Sequence, residues 1–274
     1  MLIARANFGN AVSYAQVIDD RIHLVRGDVF GEHELTGQSF ALDDVALTTP
    51  VPAGRLIAVM GGFLPPGEER PADVEPMWLP KVPNNPTGPG GLIPFPEVVQ
   101  AEKLQAEAEL AVVVGSTLSR ASVDEARAGI FGWTPFNDVT AFEKSWGGMY
   151  FSVAKSLDGF AAFGPWVRTD LSEERVMEGL AITGKVNGAE SQSGNTKYYK
   201  FTPSEMLSHI SHHITLYPAD IVTLGTPYPP GEFAVGDRVE VIVEEVGTLV
   251  NEVVSESEYL KARAALAGSR DAGH

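Results

Sequence analysis

The chain has 274 residues, 44% of them hydrophobic, no cysteine and a formal net charge of −16. That is enough apolar length for a full core, as one large domain or one with an appendage, and the lack of cysteine excludes disulfides, thiolate metal sites and a cysteine nucleophile. The acidity, without a Lys/Arg stripe, argues against nucleic acid; no window approaches a membrane span and the N-terminus lacks a signal-peptide pattern, so a soluble, cytoplasmic protein with no membrane partner is expected.

Residues 1–52 carry short apolar runs such as Ile22-His23-Leu24-Val25, broken by Gly27, Gly31 and Gly37, which predicts a small β-rich N-terminal domain ending at Pro50 to Pro52. Leu56 to Met60 then reads as a buried strand opening a second unit over 53–256. The Gly-, Pro- and Glu-rich stretch from Gly61 to Trp78 reads as a long loop, which fits a lid over a site and a disordered insert equally well. Ser122-Val123-Asp124-Glu125 and Thr202-Pro203-Ser204-Glu205 are capping boxes, the second with proline at the first helical position, so helices start at both. Asn187-Gly188 predicts a hairpin turn, and Val239, Val241 and Val243 alternate with polar neighbours as in a half-exposed strand. Residues 257–274 read as a C-terminal helix and tail. Strands alternate with short helices but no βαβ period appears, so the expected fold class is mixed β-rich α+β.

Several polar residues are placed where a core should be. Glu107 and Glu109 run into Leu110-Ala111-Val112-Val113-Val114, and on one strand the two carboxylates would share a face. Two acids side by side repel unless a cation or a proton separates them. The same segment also fits a charged, solvent-facing helix ending before the strand. Asp138 sits among aromatic and β-branched residues in Trp133 to Thr140; a turn or cap role would explain it equally. Three carboxylates suit a hard divalent ion, Mg²⁺ in particular. Lys155 follows an apolar stretch and could reach into a pocket or snorkel to the surface. Gly225-Thr226-Pro227 is a loop able to offer amides and a hydroxyl to an anion, or an ordinary turn. His209, His212 and His213 lie on a predicted helix without metal-ligand spacing and read as structural.

In order, these pieces resemble the fumarylacetoacetate hydrolase superfamily from about Leu56 to Val254. The matching segments are Glu107-Ala108-Glu109-Leu110, Asn137-Asp138-Val139-Thr140-Ala141, Ala154-Lys155-Ser156-Leu157-Asp158 with Gly164-Pro165, Val186-Asn187-Gly188 with Gln192 and Thr196, and Thr215-Leu216 through Gly225-Thr226-Pro227. The resemblance implies a β-sandwich or roll catalytic domain and a divalent cation, Mg²⁺ or else Mn²⁺ or Ca²⁺, held by Glu107, Glu109 and Asp138. Lys155 would be catalytic beside the metal; Lys81, Gln192, Gly225 and Thr226 would line the substrate site; and the protein would be a homodimer. The substrate class implied is a small-molecule oxo acid or 1,3-dicarbonyl.

The sequence also departs from that family. Its lid carries a His and a Glu, and here no histidine occurs between His33 and His209; the lid offers Glu68, Glu69, Asp73 and Glu75 instead, of which Glu68 and Glu69 are the candidates to replace the base. Phe142 stands where an arginine is common and Ser145 where a glutamine is, which exchanges a cation for apolar surface and predicts a bulkier or less anionic substrate. A metal-stabilised enolate is the shared first step. C–C bond hydrolysis is the expected outcome, with decarboxylation, keto–enol tautomerisation or a macrophomate-synthase-like cyclisation as alternatives, and a non-catalytic binding protein on the same fold as a further one.

Overall fold

The structure is a computed structural model, described for residues 1–8, 11–82, 85–99, 103–141 and 150–271, with side chains to 265. Phe142 and Ser145 lie outside the described residues. The architecture is β-rich α+β: a 12-stranded mixed sheet, a five-stranded sheet and a two-stranded ribbon. Among the described residues no helix is long and apolar enough to cross a membrane.

Strand Ala108–Val114 is the central element of the large sheet, and every one of its residues is buried. Its side chains alternate between two cores. Leu110, Val112 and Val114 face one shared with Val239, Val241 and Leu249 of the five-stranded sheet, while Ala111 and Val113 face another with Leu56, Phe136 and Phe163. A strand covered on both faces reads as an unbroken apolar run, which is why Leu110 to Val114 shows no polar alternation. Glu109 keeps the parity of Ala111 and Val113, so its carboxylate enters the interior.

The neighbours of this strand assemble the site. Ile130–Asp138 pairs with it antiparallel, Glu109 opposite Phe136 and Ala108 opposite Asn137. On the other edge it pairs with Ile221–Thr223, which pairs in parallel with Leu56–Met60, itself antiparallel to Met77–Lys81. The predicted buried strand at Leu56 is therefore present, and its register ends Met77–Lys81 with Lys81 opposite Leu56, in the interior.

The N-terminal strands, Leu2–Phe8, Ala11–Ile18, Arg21–Gly27 and His33–Ala41, hold an apolar cluster of their own around Ala4, Ala15 and Ile22. They join the large sheet by backbone pairing of Leu2 and Ile3 with Val167–Arg168. Both predicted helices occur, Val123–Ala128 and Pro203–His213, each with its complete capping box. The hairpin between Ala181–Val186 and Ala189–Asn195 turns at Asn187 and Gly188, both at positive φ as that tight turn requires. A C-terminal helix spans Glu256–Asp271.

No regular element lies between Met60 and Met77. The first part of this segment is tied back: Leu64 N donates to Tyr198 O at 2.8 Å, Lys200 N to Gly62 O at 2.7 Å, and Phe63 bridges Tyr199. Further along, the Arg70 guanidinium bonds Glu205 at 3.2 Å and stacks over Phe201. A Cβ on Gly62 would overlap Leu224 O, and one on Gly225, at φ +91, would lie 2.8 Å from Gly62 Cα. Backbone therefore packs on backbone here, joining the base of the loop to the Gly225-Thr226 turn.

Candidate metal centre

Glu107, Glu109 and Asp138 converge, with one carboxylate oxygen from each lying within 4.8 Å of the others. The segment is strand and not the alternative solvent-facing helix: Asp138 N donates to Glu107 O at 3.0 Å, extending the ladder by one step. Glu109 and Asp138 are fully buried, and the Glu107 side chain is 12% exposed.

Two lysines enter the same cluster. The Lys155 ammonium, at the end of the short helix Phe151–Ala154, donates to Glu107 Oε2 at 2.8 Å, Asp138 Oδ2 at 2.7 Å and Thr140 Oγ1 at 2.7 Å. All three of its hydrogens are used. Lys81 ion-pairs with the other Asp138 oxygen and donates to Phe160 O at 2.8 Å. Thr140 Oγ1 bonds Glu107 Oε1 at 2.9 Å, while Gly225 N donates to Glu109 Oε2 at 2.7 Å. Glu109 Oε1 is buried and has no partner.

Three buried carboxylates thus face two buried ammonium groups, an excess of one acid that a proton or a cation has to balance. The proton affinities locate it. Burial, then the charges of Asp138 and Glu107, drives Glu109 well above the ordinary carboxylate range. Glu107 is also raised, by burial above all, with Lys155 opposing. Burial alone would raise Asp138, but Lys155 and Lys81 outweigh it and hold Asp138 low. Burial would lower Lys155, yet Asp138, Glu107 and Glu109 keep it firmly protonated. Lys81 is lowered by burial, only partly offset by Asp138.

These residues fit a divalent cation. The all-oxygen donor set suits a hard ion, and opposite ligands of a cation bound at about 2.1–2.4 Å stand about 4.2–4.8 Å apart, so the observed spacing admits one. The surplus charge and the orphaned Glu109 oxygen are what such an ion would satisfy.

Above the cluster opens a cavity of about 850 Å³, with Glu107 and Lys155 at its floor and Thr226 on its wall. The Thr226 hydroxyl accepts from Gln192 Nε2 at 2.7 Å and donates to Ala108 O at 3.1 Å. An arriving carboxylate must compete for that hydroxyl hydrogen. Gln192 does not line the cavity; it braces the Thr226 turn against Ala108 N, at 2.8 Å, and Pro227 O. Gly225 holds Glu109, and Lys81 stands behind Asp138, so neither lines the cavity wall. Glu68 and Glu69 are exposed on the outer turn of the loop, whose contribution to the cavity ends at Pro66.

Four residues of this cluster were not singled out from the sequence: Thr140, Thr223, Asn137 and Tyr199. Thr140 ties Lys155 to Glu107, and Thr223 lies beside Glu109. Asn137 accepts from Glu107 N at 3.2 Å. The buried Tyr199 hydroxyl meets no partner of ordinary hydrogen-bond geometry, and burial, then the charge of Glu109, keeps it protonated. Threonine and tyrosine are strand formers, so nothing in their sequence context separates these from packing residues.

A buried acidic triad braced by lysines, with Glu107 reaching the floor of an open cavity, defines a candidate divalent-metal enzyme site for a small molecule. Residues 59–254 match the Fumarylacetoacetate (FAA) hydrolase C-terminal family, and residues 1–50 match the Rv2993c-like, N-terminal family. Oxaloacetate tautomerase YisK of Bacillus subtilis (strain 168) is 31% identical over 233 residues, covering 80% of this chain and 77% of that protein. The 2,4-didehydro-3-deoxy-L-rhamnonate hydrolase of Sphingomonas sp. (strain SKA58) is 34% identical, covering 65% of each. The crystal structure of 5-carboxymethyl-2-hydroxymuconate delta-isomerase from Mycobacterium smegmatis superposes with a TM-score of 0.85 at 29% identity, covering 93% of this chain and all of that one. The chain belongs to the fumarylacetoacetate hydrolase family, and its relatives include hydrolase, tautomerase and isomerase enzymes.

Proposed function

We propose that the protein is a Mg²⁺-dependent enzyme that interconverts the keto and enol forms of a 2-oxo acid or 1,3-dicarbonyl compound. The carrying observation is the division of acids in the structure: Glu107 and Lys155 lie at the cavity floor with Glu109 and Asp138 buried behind them, while Glu68 and Glu69 face solvent outside it. A divalent cation on Glu107, Glu109 and Asp138 would supply Lewis-acid polarisation of a chelating substrate. Lys155 holds a fixed positive charge at the floor, where negative charge develops on an enolate oxygen; it is anchored in advance by Glu107, Asp138 and Thr140. Gln192 braces the Thr226 turn, so the substrate's carboxylate end meets a wall already in place and has only to draw the Thr226 hydroxyl hydrogen from Ala108 O. Enolisation moves one proton between carbon and oxygen and consumes no water. Hydrolysis would also need a base to bring water to a second carbonyl, and among the described residues the cavity lining offers only Glu107, Lys155 and Glu232 as charged groups.

The names of two relatives, an oxaloacetate tautomerase and a muconate isomerase, support the same reaction class. The test is ¹H NMR of oxaloacetate and acylpyruvates in partly deuterated buffer with Mg²⁺ or EDTA. Metal-dependent exchange at C3, or accelerated ketonisation of the enol, without net cleavage is expected. Stoichiometric release of two acids would instead establish hydrolysis, the activity named for the rhamnonate relative.

A further inference from the structure

Resting on that reading of the site, we propose that the enzyme selects 2-oxo or 2,4-dioxo acids whose end remote from the metal is uncharged and aromatic or alkyl, and that Tyr228 recognises that end. The cavity, about 850 Å³, is near the upper end of the range for small-molecule sites, roughly 300–1,000 Å³. Its floor needs only the two chelating oxygens of a substrate. The remaining volume runs outward between Pro65 and Pro66 of the loop after Met60 and Tyr228, Pro229 and Pro230 beyond the Thr226 turn.

Charge argues against a second carboxylate in this outer half. Lys155, the one cation of the described lining, is already matched by Glu107 and Asp138. Among the described residues the charged side chain of the outer wall is Glu232, which would repel an anionic tail, though Lys103 pairs with it at 3.0 Å. Two further ammonium groups come to the outside of the wall, Lys197 over the Tyr198 ring and Lys200 beside Gly61, and neither lines the cavity.

Packing argues for an apolar one. Tyr228 is 90% exposed, more than any other large hydrophobic side chain in the described structure, although it lines the cavity. Its neighbours Pro227, Pro229 and Pro230 fix the backbone on both sides of it, so little freedom is lost when a ring stacks on it. An exposed aromatic on a proline-braced backbone, lining the same cavity as Glu107 and Lys155, is a ready surface for a planar or alkyl tail.

The test is equilibrium binding by calorimetry to Mg²⁺-loaded protein, using 2,4-dioxo acids whose tails are methyl, phenyl or a carboxylate of matched length. Affinity for the phenyl compound is expected to exceed that for the carboxylate-tailed one about tenfold or more, and the phenyl-to-methyl ratio should fall about three- to tenfold in Tyr228→Ala, the range of one aromatic contact. Because Tyr228 is exposed, this variant keeps the fold. A preference for the carboxylate tail overturns the proposal, and its loss in Lys200→Ala would assign the outer half to that ammonium instead. An unchanged phenyl-to-methyl ratio in Tyr228→Ala removes Tyr228 from recognition. If the series binds in the expected order without any enolisation, the reaction assignment fails and the tail selectivity stands; if none binds, both fail.

Discussion

Replacing Glu109 by glutamine should stabilise the metal-free protein and abolish its stabilisation by Mg²⁺. The carboxylate occupies the one unbalanced position of the cluster: Oε2 accepts from Gly225 N, and Oε1 is buried without a partner. Glutamine keeps the acceptor toward Gly225 and presents an amide toward the neighbouring carboxylates. Relief of a buried polar group left unsatisfied is worth about 1–3 kcal/mol. Unfolding entropy near 2.1 cal/mol/K per residue, over 274 residues, makes each kcal/mol about 1.7 °C in Tm, so the gain is about 2–5 °C. Wild type at a Mg²⁺ concentration about 100 times its Kd should gain about 2.7 kcal/mol, or about 5 °C, by mass action. Differential scanning fluorimetry of EDTA-treated protein near neutral pH, with and without Mg²⁺, reads both quantities. A metal-free Glu109→Gln melting below wild type, or one keeping the full Mg²⁺ shift, would refute the assignment of the surplus charge to Glu109.

The same cluster sets a pH dependence. Glu107 and Glu109 are raised in the folded state, so their contribution to stability is complete below the unfolded carboxylate value, near 4.3, and is lost as pH rises toward their folded values; Asp138, held low, contributes above its unfolded value and loses that as pH falls. The Tm advantage of metal-free Glu109→Gln over wild type should therefore widen from mildly acidic to neutral pH, and a constant gap across a pH series of melts would contradict it. Glu68→Gln and Glu69→Gln, alone and combined, should leave kcat for enolisation within about twofold, because single surface changes away from the site cost little; a loss of a hundredfold would place one of them in the cavity during turnover. Gly194→Ala sets a Cβ against the Pro227 ring and should displace the Thr226 turn, costing about 1–3 kcal/mol of stability. Kinetics should show a raised KM in that variant, and a KM equal to wild type would separate the turn from substrate binding.

Where the sequence was informative, it was through violations of local expectation. Glu109 next to five apolar residues, and Asp138 inside an aromatic strand, are costly unless something binds them, so both stood out before any geometry was known. The capping boxes at Ser122 and Thr202, the Asn187-Gly188 turn and the valine alternation at 239–243 are local rules, and each appears in the structure as expected. What those rules could not supply was pairing. Lys81 meets Asp138 across 57 positions and Gly225 meets Glu109 across 116, contacts made only when five strands take their places in one sheet. Lys81 and Gln192 accordingly belong with the supports of the site, although a polar residue near a motif gives no sign of whether it faces the ligand or the residue that does.

The loop after Met60 shows why composition is a poor guide to a lid. Proline, glycine and glutamate in such density indicate the absence of regular structure but not which side faces inward. The boundary is set by two backbone bonds, Leu64 N to Tyr198 O and Lys200 N to Gly62 O, which hold residues 62–64 along 198–200. Those bonds carry Leu64, Pro65 and Pro66 onto the cavity, and the turn that follows, closed by Glu68 N to Pro65 O at 3.1 Å, points Glu68 and Glu69 away. Arg70 then closes on Glu205, a residue already committed to capping its helix, so the far end of the segment is anchored on rigid structure. Bringing Glu68 or Glu69 to the triad would require undoing that turn, whereas the apolar prolines need no movement to meet a substrate. The loop therefore lines the outer cavity with carbon and keeps Glu68 and Glu69 out of it.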